Sequence, residues 1–196
     1  NSPAFSRTPL RVGTTSTIYE CYLAPVLQNM LQKENGYAIN LVISHSVNLL
    51  QSLQDGLFDL VFTYEPLQKT GYHCHLFRTD RLLLVALPES VRQRPAVRKE
   101  ELPSLNYLFC NFALQEVGQF IRELFPPLYQ FSFEIDNSTK LIDYLLKGIG
   151  CSFLPDGLVQ PYLENGSLAS IDLLDFEAPR INCYECFPEG REPAIL

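Results

Sequence analysis

The order of apolar segments in the first third of the chain restricts its fold most strongly. Three short apolar segments, residues 10–14, 38–44 and 57–64, alternate with two segments of helical periodicity, residues 17–34 and 47–55. Strands that alternate with helices in this way are typical of a parallel sheet built from βαβ units. The sequence therefore predicts an α/β fold that begins with a βαβαβ unit.

Polar residues follow each of these three predicted strands. Parallel sheets bind ligands at the carboxyl ends of their strands, and a helix that starts there attracts anions through its N–H groups and its dipole. The candidate ligand-contacting residues in this half are Thr14, Thr15, Ser16, Ser44, His45 and Tyr64. We expect a polar ligand site at this sheet edge, although ordinary helix capping needs some of the same hydroxyl groups.

Local motifs predict where the first two helices begin. Thr17 and Glu20 have the spacing of a capping box, and Ser46 fits the N-cap of the second helix. Pro25 lies inside the apolar periodicity of the first helix. We expect it either to bend this helix or to mark a late start of its regular part.

The rest of the chain repeats the alternation of strands and helices. Strands are predicted at 76–87 (interrupted by polar residues 78–81), 106–112, 131–135, 151–154, 168–174 and 181–187, and helices at 115–125, 138–147 and 157–164. Asn111, Phe112 and Asn137 follow strands of this half and are further candidate ligand contacts. Phe112 fits the core equally well, and Asn137 fits a helix cap.

The charge of the chain argues against direct contact with nucleic acid. The formal net charge is −7 and the pI is near 5.0, whereas nucleic-acid-binding modules carry a basic face or stripe. The one basic cluster, in residues 92–99, is followed by Glu100 and Glu101, so we interpret it as a solvated face. No apolar run approaches the ~20 residues that span a bilayer, so we expect no membrane contact.

The cysteines and short motifs indicate neither a metal site nor a cofactor. Six scattered cysteines do not form a disulfide framework, and we expect a reducing cytoplasm. Cys183 and Cys186 have redox spacing but lie in a predicted strand, where positions three apart face opposite sides. Because side chains alternate between the two faces of a strand, the side chains of residues 73–75 (His-Cys-His) would not all lie on one face either. No phosphate-binding, dinucleotide-binding or nucleophile motif is present.

Five short segments have a characteristic order and spacing. They are Leu10–Gly13 (LRVG), Leu23–Leu27 (LAPVL), Leu53–Leu60 (LQDGLFDL), Leu82–Val85 (LLLV) and Leu145–Pro155 (LLKGIGCSFLP). Over residues 10–187 the chain resembles, in these segments, the effector-binding domain of LysR-type transcriptional regulators.

The resemblance implies two Rossmann-like lobes joined by two crossing segments, like a type-2 periplasmic binding protein. The first lobe would contain residues 10–80 and 170–196, the second would contain 81–169, and 1–9 would be a linker. A small organic acid is the expected effector, bound in the cleft between the lobes with its carboxylate on Thr15 and Ser16.

The resemblance also implies partners. We expect a homodimer or tetramer formed through residues 19–32 and 138–147. The full-length regulator would contact DNA only through an N-terminal winged helix-turn-helix, which this chain does not contain, and would be cytoplasmic.

The chain departs from the family pattern in two places. Family members usually end with a helix packed on the first lobe, and residues 191–196 are too short and too proline-marked to form one. Peroxide-sensing relatives carry a cysteine pair just after the first strand of the second lobe. Residues 111–117 contain no cysteine here, so a thiol switch of that kind is not expected.

Two other functions are compatible with the same fold. One is a solute-binding receptor of a transporter, which an export signal in the full gene would favour. The other is a small enzyme such as a prephenate dehydratase-like lyase. Glu65 and Asp136 are its only obvious acid or base candidates, so we assign no catalytic residue.

Overall fold

The chain forms two compact units in a computed structural model that describes residues 6–110, 115–193 and 195. Unit 1 contains Asn1–Arg78 and Asn182–Leu196, and unit 2 contains Thr79–Ile181. The chain therefore passes between the units twice, as two α/β lobes with two crossing segments require.

Unit 1 begins with the predicted βαβαβ unit. Its elements are β1 (Thr8–Thr14), α1 (Ser16–Ile18), a π-helical turn (Tyr19–Leu23), α2 (Ala24–Leu31), β2 (Tyr37–Ile43), α3 (Ser46–Gln54) and β3 (Leu60–Thr63). β1 lies between β2 and β3 and is parallel to both. The parallel start of the sheet is confirmed.

The first helix is continuous but changes its winding before Pro25. The turn Tyr19–Leu23 is π-helical, and the N–H of Ala24 donates to the carbonyl oxygen of Tyr19. Proline has no N–H to donate within a helix. The wider, π-helical turn lies just before Pro25, the residue that cannot donate. The regular part thus begins late, at Ala24, which was one of the two outcomes expected of Pro25.

The remaining elements belong to unit 2 or connect the units. They are β4 (Tyr72–Ala86), α4 (Pro88–Gln93), β5 (Ala96–Val97), a 3-10 turn (Lys99–Ser104), β6 (Phe109–Cys110), α5 (Gln115–Glu123), β7 (Glu134–Ile135), a 3-10 turn (Ser138–Lys140), α6 (Leu141–Leu146), β8 (Ser152–Pro155), α7 (Asp156–Glu164), β9 (Ala169–Leu173) and β10 (Arg180–Pro188). β4 and β10 are the two strands that carry the chain between the units.

Two details of β4 and β9 differ from the predictions. The polar residues 78–81 do not interrupt β4, because Asp80 points inward and is buried while its polar neighbours are exposed. β9 pairs with Leu84–Ala86 of β4 and with β5. Residues 170–181 lie in unit 2, although we expected them in the first lobe.

In unit 2, the second half of β4 pairs antiparallel with β8 and β9, and the short strands β6 and β7 pair parallel. In unit 1, β10 lies between β3 and β4. α3 packs on this part of the sheet through Leu49, Leu50 and Leu53, which form a buried cluster with Val61 and Cys186. In the part of the chain that the structure describes, no helix is both long enough and apolar enough to cross a bilayer.

Candidate functional site

The ends of the first three strands lie side by side at one edge of unit 1. Thr14 of β1 is in register with Ile43 of β2 and with Phe62 of β3. The chain continues past this edge with two further backbone bonds: Ser44 N–H donates to the Thr14 oxygen at 3.0 Å, and Thr15 N–H donates to the Phe62 oxygen at 3.3 Å. The predicted convergence of the polar residues of unit 1 is therefore present.

At the end of β1, Thr15 caps the helix. Its Oγ1 accepts a hydrogen bond from the N–H of Ile18 at 3.3 Å. The predicted capping box at Thr17 is wrong, because the helix already begins at Ser16 and Thr17 lies within its first turn. Thr14 is wholly buried, and its hydroxyl donates to the Thr15 carbonyl oxygen at 2.9 Å. Ser16 is the half-exposed member of this group.

At the end of β2, His45 and not Ser46 is the N-cap of α3, and the side chain of His45 makes no capping hydrogen bond. The predicted capping role of Ser46 is wrong because its hydroxyl oxygen is used elsewhere. It accepts a hydrogen bond from the N–H of Tyr64 at 2.9 Å and is buried. This bond ties the start of α3 to the end of β3. Ser44 and His45 are half-exposed at the same edge.

At the end of β3, the side chain of Tyr64 is buried, with only 7% of its surface exposed. Burial raises the pKa of this phenol well above its usual range, as does the nearby Cys183, while side-chain hydrogen bonds with Thr17 and Thr15 oppose that shift. Tyr64 thus supports the first turn of the helix and offers little surface to a ligand.

The accessible polar groups at this edge are therefore Ser16, Ser44 and His45. Two helices, α1 and α3, begin beside them with their N-termini at the same edge. Backbone N–H groups at a helix N-terminus and side-chain hydroxyl groups together suit a carboxylate or another small anion. Glu65 follows the buried Tyr64 just past β3 and is half-exposed, so the strand ends carry a carboxylate as well as these donors.

The ligand contacts predicted in the second half of the chain add no residue to these accessible polar groups. Asn137 caps the 3-10 turn of unit 2, where its Oδ1 accepts bonds from the N–H of Thr139 at 3.1 Å and from its hydroxyl at 2.6 Å. Asn111 and Phe112 lie outside the described residues and stay predictions. Asp136 is exposed in the same unit.

Unit 2 also contains a small pocket of about 140 Å³. Its lining includes Arg94, Asn106, Gly150 and Ile171. The Arg94 guanidinium donates a hydrogen bond to the Ser104 hydroxyl oxygen at 3.0 Å. Ligand sites usually have volumes of about 300–1,000 Å³, so this pocket is a weaker candidate than the strand ends of unit 1.

The sequence interpretation missed a cysteine pair. Cys183 and Cys186 are both buried in β10, but the sulfur next to Cys186 belongs to Cys74 of β4, at 2.7 Å. His73 and His75, on either side of Cys74, stack on each other, and both rings contact the Phe187 ring at a tilted angle. In residues 6–110, 115–193 and 195, no group of three or more metal-ligating side chains comes together.

The chain matches the family model described as LysR substrate binding domain over residues 4–195. The HTH-type transcriptional regulator YeiE of Escherichia coli (strain K12) is 24% identical over 169 residues, which are 83% of this chain and 56% of the regulator. The chain thus spans about half the length of the curated relatives that it matches.

Solved structures with the same fold include the regulatory domains of two bacterial proteins. The CrgA regulatory domain from Neisseria meningitidis has a TM-score of 0.73 at 18% identity, over 94% of this chain and 91% of that chain. The bromide-bound HypT regulatory domain from Salmonella typhimurium has a TM-score of 0.76 at 16% identity, over 100% and 92%. The fold is that of the type-2 periplasmic binding proteins, with two α/β units joined by two crossing segments.

The family model covers nearly the whole chain. This chain belongs to the LysR substrate-binding domain family, the effector-binding regulatory domains of LysR-type transcriptional regulators.

Proposed function

We propose that this domain senses a small organic acid, and that the acid's carboxylate binds at the carboxyl ends of β1, β2 and β3. One observation carries the proposal: Ser16, Ser44 and His45 are half-exposed at one sheet edge where two helices begin. The helix dipoles and N–H groups attract the negative charge, and the hydroxyl and imidazole groups fix the orientation of the ligand.

This assignment moves the main contacts away from Thr14 and Thr15, two of the predicted ligand contacts. The hydroxyl of Thr15 accepts the capping bond from Ile18, and that of Thr14 donates within the buried backbone. Thr14 and Thr15 are also buried, whereas Ser16 and Ser44 are partly accessible, so a ligand reaches the two serines more easily. The HypT regulatory domain has been described with bromide bound, which supports an anionic ligand in a related fold.

The whole regulator would use this domain to control transcription. We propose that it binds DNA through a separate N-terminal domain, acts in the cytoplasm, and forms dimers or tetramers through residues 19–32 and 138–147. Effector binding would then shift the population of domain conformations and so change the geometry of the assembly. Because the family consists of transcriptional regulator domains, we favour this role over a transport receptor or an enzyme.

A thermal-shift screen of small carboxylic acids tests the proposal, with the corresponding amides as uncharged controls. A ligand at 100 times its Kd should raise the free energy of unfolding by about 2.7 kcal/mol. We expect at least one acid to raise the Tm and its amide to fail. If no carboxylate in a broad panel shifts the Tm, the proposed effector class is wrong.

Calorimetry on variants then locates the site. A hydrogen bond to a charged group contributes roughly 1.5–3 kcal/mol, and each 1.4 kcal/mol is about tenfold in affinity. Ser16→Ala and Ser44→Ala should therefore each weaken binding of the acid about tenfold or more. Thr70→Ala, at an exposed position in unit 1, is the control. Unchanged affinity in both serine variants would place the site elsewhere.

A further inference from the structure

Two cysteines that are far apart in sequence meet in unit 1. Cys74 lies on β4 and Cys186 on β10, which are neighbouring strands of one sheet, and 112 residues separate them. Their Sγ atoms are 2.7 Å apart. The sulfurs of a disulfide are about 2.05 Å apart, so the two strands already hold the thiols almost at bonding distance.

The two thiols differ in environment. Cys74 is half-buried, and its sulfur accepts a hydrogen bond from the N–H of Leu67 at 3.4 Å. The hydrogen bond from Cys186 lowers the pKa of Cys74 to about 7, and the Leu67 bond contributes, against the opposing effect of burial. Cys186 is wholly buried, and its hydrogen bond to Cys74 raises its own pKa. Cys74 is thus the more nucleophilic and the more accessible sulfur.

The two buried thiols of unit 2 lack this activation. Cys110 and Cys151 lie in the core of unit 2, and burial raises the pKa of both, that of Cys151 to about 12. A buried thiol that stays protonated is inert toward oxidants. Reactivity should therefore concentrate at Cys74, with Cys186 as the thiol that reacts with it.

We propose that Cys74 and Cys186 form a reversible disulfide when the domain meets a hydroperoxide. The Cys74 thiolate attacks the peroxide oxygen, so that a sulfur–oxygen bond forms, the O–O bond breaks and the leaving group departs as water or an alcohol after taking a proton. The sulfur of Cys186 then attacks the sulfur of the Cys74 sulfenic acid. The disulfide forms, and the hydroxyl leaves as water with the Cys186 proton. Two thiols are oxidised by two electrons, and the hydroperoxide is reduced.

The position of this bond has a structural consequence. β4 and β10 are the two strands through which the chain passes between its units. A bond between Cys74 and Cys186 closes a loop that contains all of unit 2, Thr79–Ile181. Cross-links that close long loops restrict the unfolded chain most, so the oxidised domain should melt at a higher temperature than the reduced one.

The test treats the reduced 196-residue chain with hydrogen peroxide and counts thiols. We expect two thiols to be lost per chain, the mass to fall by two hydrogens, and dithiothreitol to restore both. Non-reducing peptide mapping should find one linkage, between Cys74 and Cys186. A Cys183–Cys186 linkage, a bond between two chains, or six intact thiols after peroxide would overturn the proposal.

Variants separate the roles of the two sulfurs. With Cys186→Ala or Cys186→Ser, the sulfenic acid of Cys74 should persist and be trapped by dimedone. With Cys74→Ser, no sulfenic acid should be trapped at the buried Cys186. Cys21→Ser, which changes the other half-buried cysteine, should keep the full reaction. Because wild-type mapping needs no variant, the proposal stays testable even if Cys186 substitutions unfold the domain.

Discussion

The hydroxyl oxygen of Ser46 accepts a hydrogen bond from the backbone N–H of Tyr64 at 2.9 Å, within the buried interior of unit 1. The bond joins the first residue of α3 to the residue that follows β3. It fixes the two ends against each other at the edge where the proposed effector site lies. Ser46 is therefore a structural residue of that edge, since its hydroxyl oxygen is directed inward and its side chain is 2% exposed.

Ser46→Ala should destabilise the domain by about 1–3 kcal/mol, because a buried N–H group that loses its acceptor retains its full desolvation penalty. Urea unfolding of the variant measures this change. Ser52→Ala, on the same helix at a half-exposed position, should change stability much less. Equal stability of Ser46→Ala and wild type would mean that water or another group replaces the lost acceptor.

The sequence was sufficient for the parallel start of unit 1 but not for this bond. Alternating strands and helices predict the parallel β1, β2 and β3, because each pattern depends on residues close in sequence. Ser46 looks like a helix cap from its neighbours alone, and only the position of Tyr64, eighteen residues later, shows its actual partner.

Other errors and omissions have the same origin. Thr15 and Thr17 both precede an apparent helix start, and the choice between them depends on where the chain leaves β1. The pair Cys74–Cys186 cannot be inferred locally, because it exists only once β10 has returned beside β4. The CxxC spacing of Cys183 and Cys186 directed attention to the wrong partner.

The ion pair of Arg11 and Asp59 should make stability depend on pH. The Asp59 carboxylate accepts bonds from the Arg11 backbone N–H at 2.8 Å and from its Nη2 at 3.0 Å. The side-chain bond from Arg11 is the main cause that lowers the pKa of Asp59, and partial burial opposes it. A lowered pKa means that the stabilisation is complete above the unfolded value, about 3.9, and is lost as the pH falls through the folded value.

Asp59→Asn should therefore be less stable than wild type near pH 7, and the difference should shrink as the pH falls below about 4. Urea unfolding at several pH values measures it. Glu134→Gln removes a single-contact pair with Arg122 in which both side chains are more than half exposed, so it should have a smaller effect. A constant difference for Asp59→Asn at all pH values would contradict the role of the charge.

Gly150 and Gly166 offer a matched comparison of backbone strain and space. Both have positive φ, +67° and +77°, a region that costs other residues roughly 1–2 kcal/mol. A Cβ on Gly150 would lie 2.1 Å from the carbonyl oxygen of Asn106, whereas a Cβ on Gly166 would meet nothing within 4 Å. The Asn106 oxygen cannot withdraw cheaply because it accepts the Cys151 N–H at 2.9 Å.

Gly166→Ala should thus cost about 1–2 kcal/mol of stability. Gly150→Ala should cost more, since forced overpacking typically adds about 1–3 kcal/mol. Denaturant unfolding of the two variants measures the difference. Equal losses would show that the segment around Asn106 moves aside easily.

The proposed assembly can be tested at Leu31, the last residue of α2 and part of the predicted contact segment 19–32. Its side chain is 66% exposed. β2 is the edge strand of the sheet and exposes Val42 and Ile43. An unpaired edge strand beside exposed apolar side chains is a surface that another chain can cover.

Leu31→Glu should weaken self-association about tenfold or more, because a charge would be buried in the core of the contact, and each tenfold corresponds to 1.4 kcal/mol. Sedimentation over a range of protein concentrations measures the change. Leu128→Glu is the control: Leu128 is 93% exposed in unit 2 and lies outside both predicted contact segments, so its substitution should leave association unchanged. If the wild-type chain is monomeric at high concentration, or if both variants associate like wild type, residues 19–32 do not form the interface.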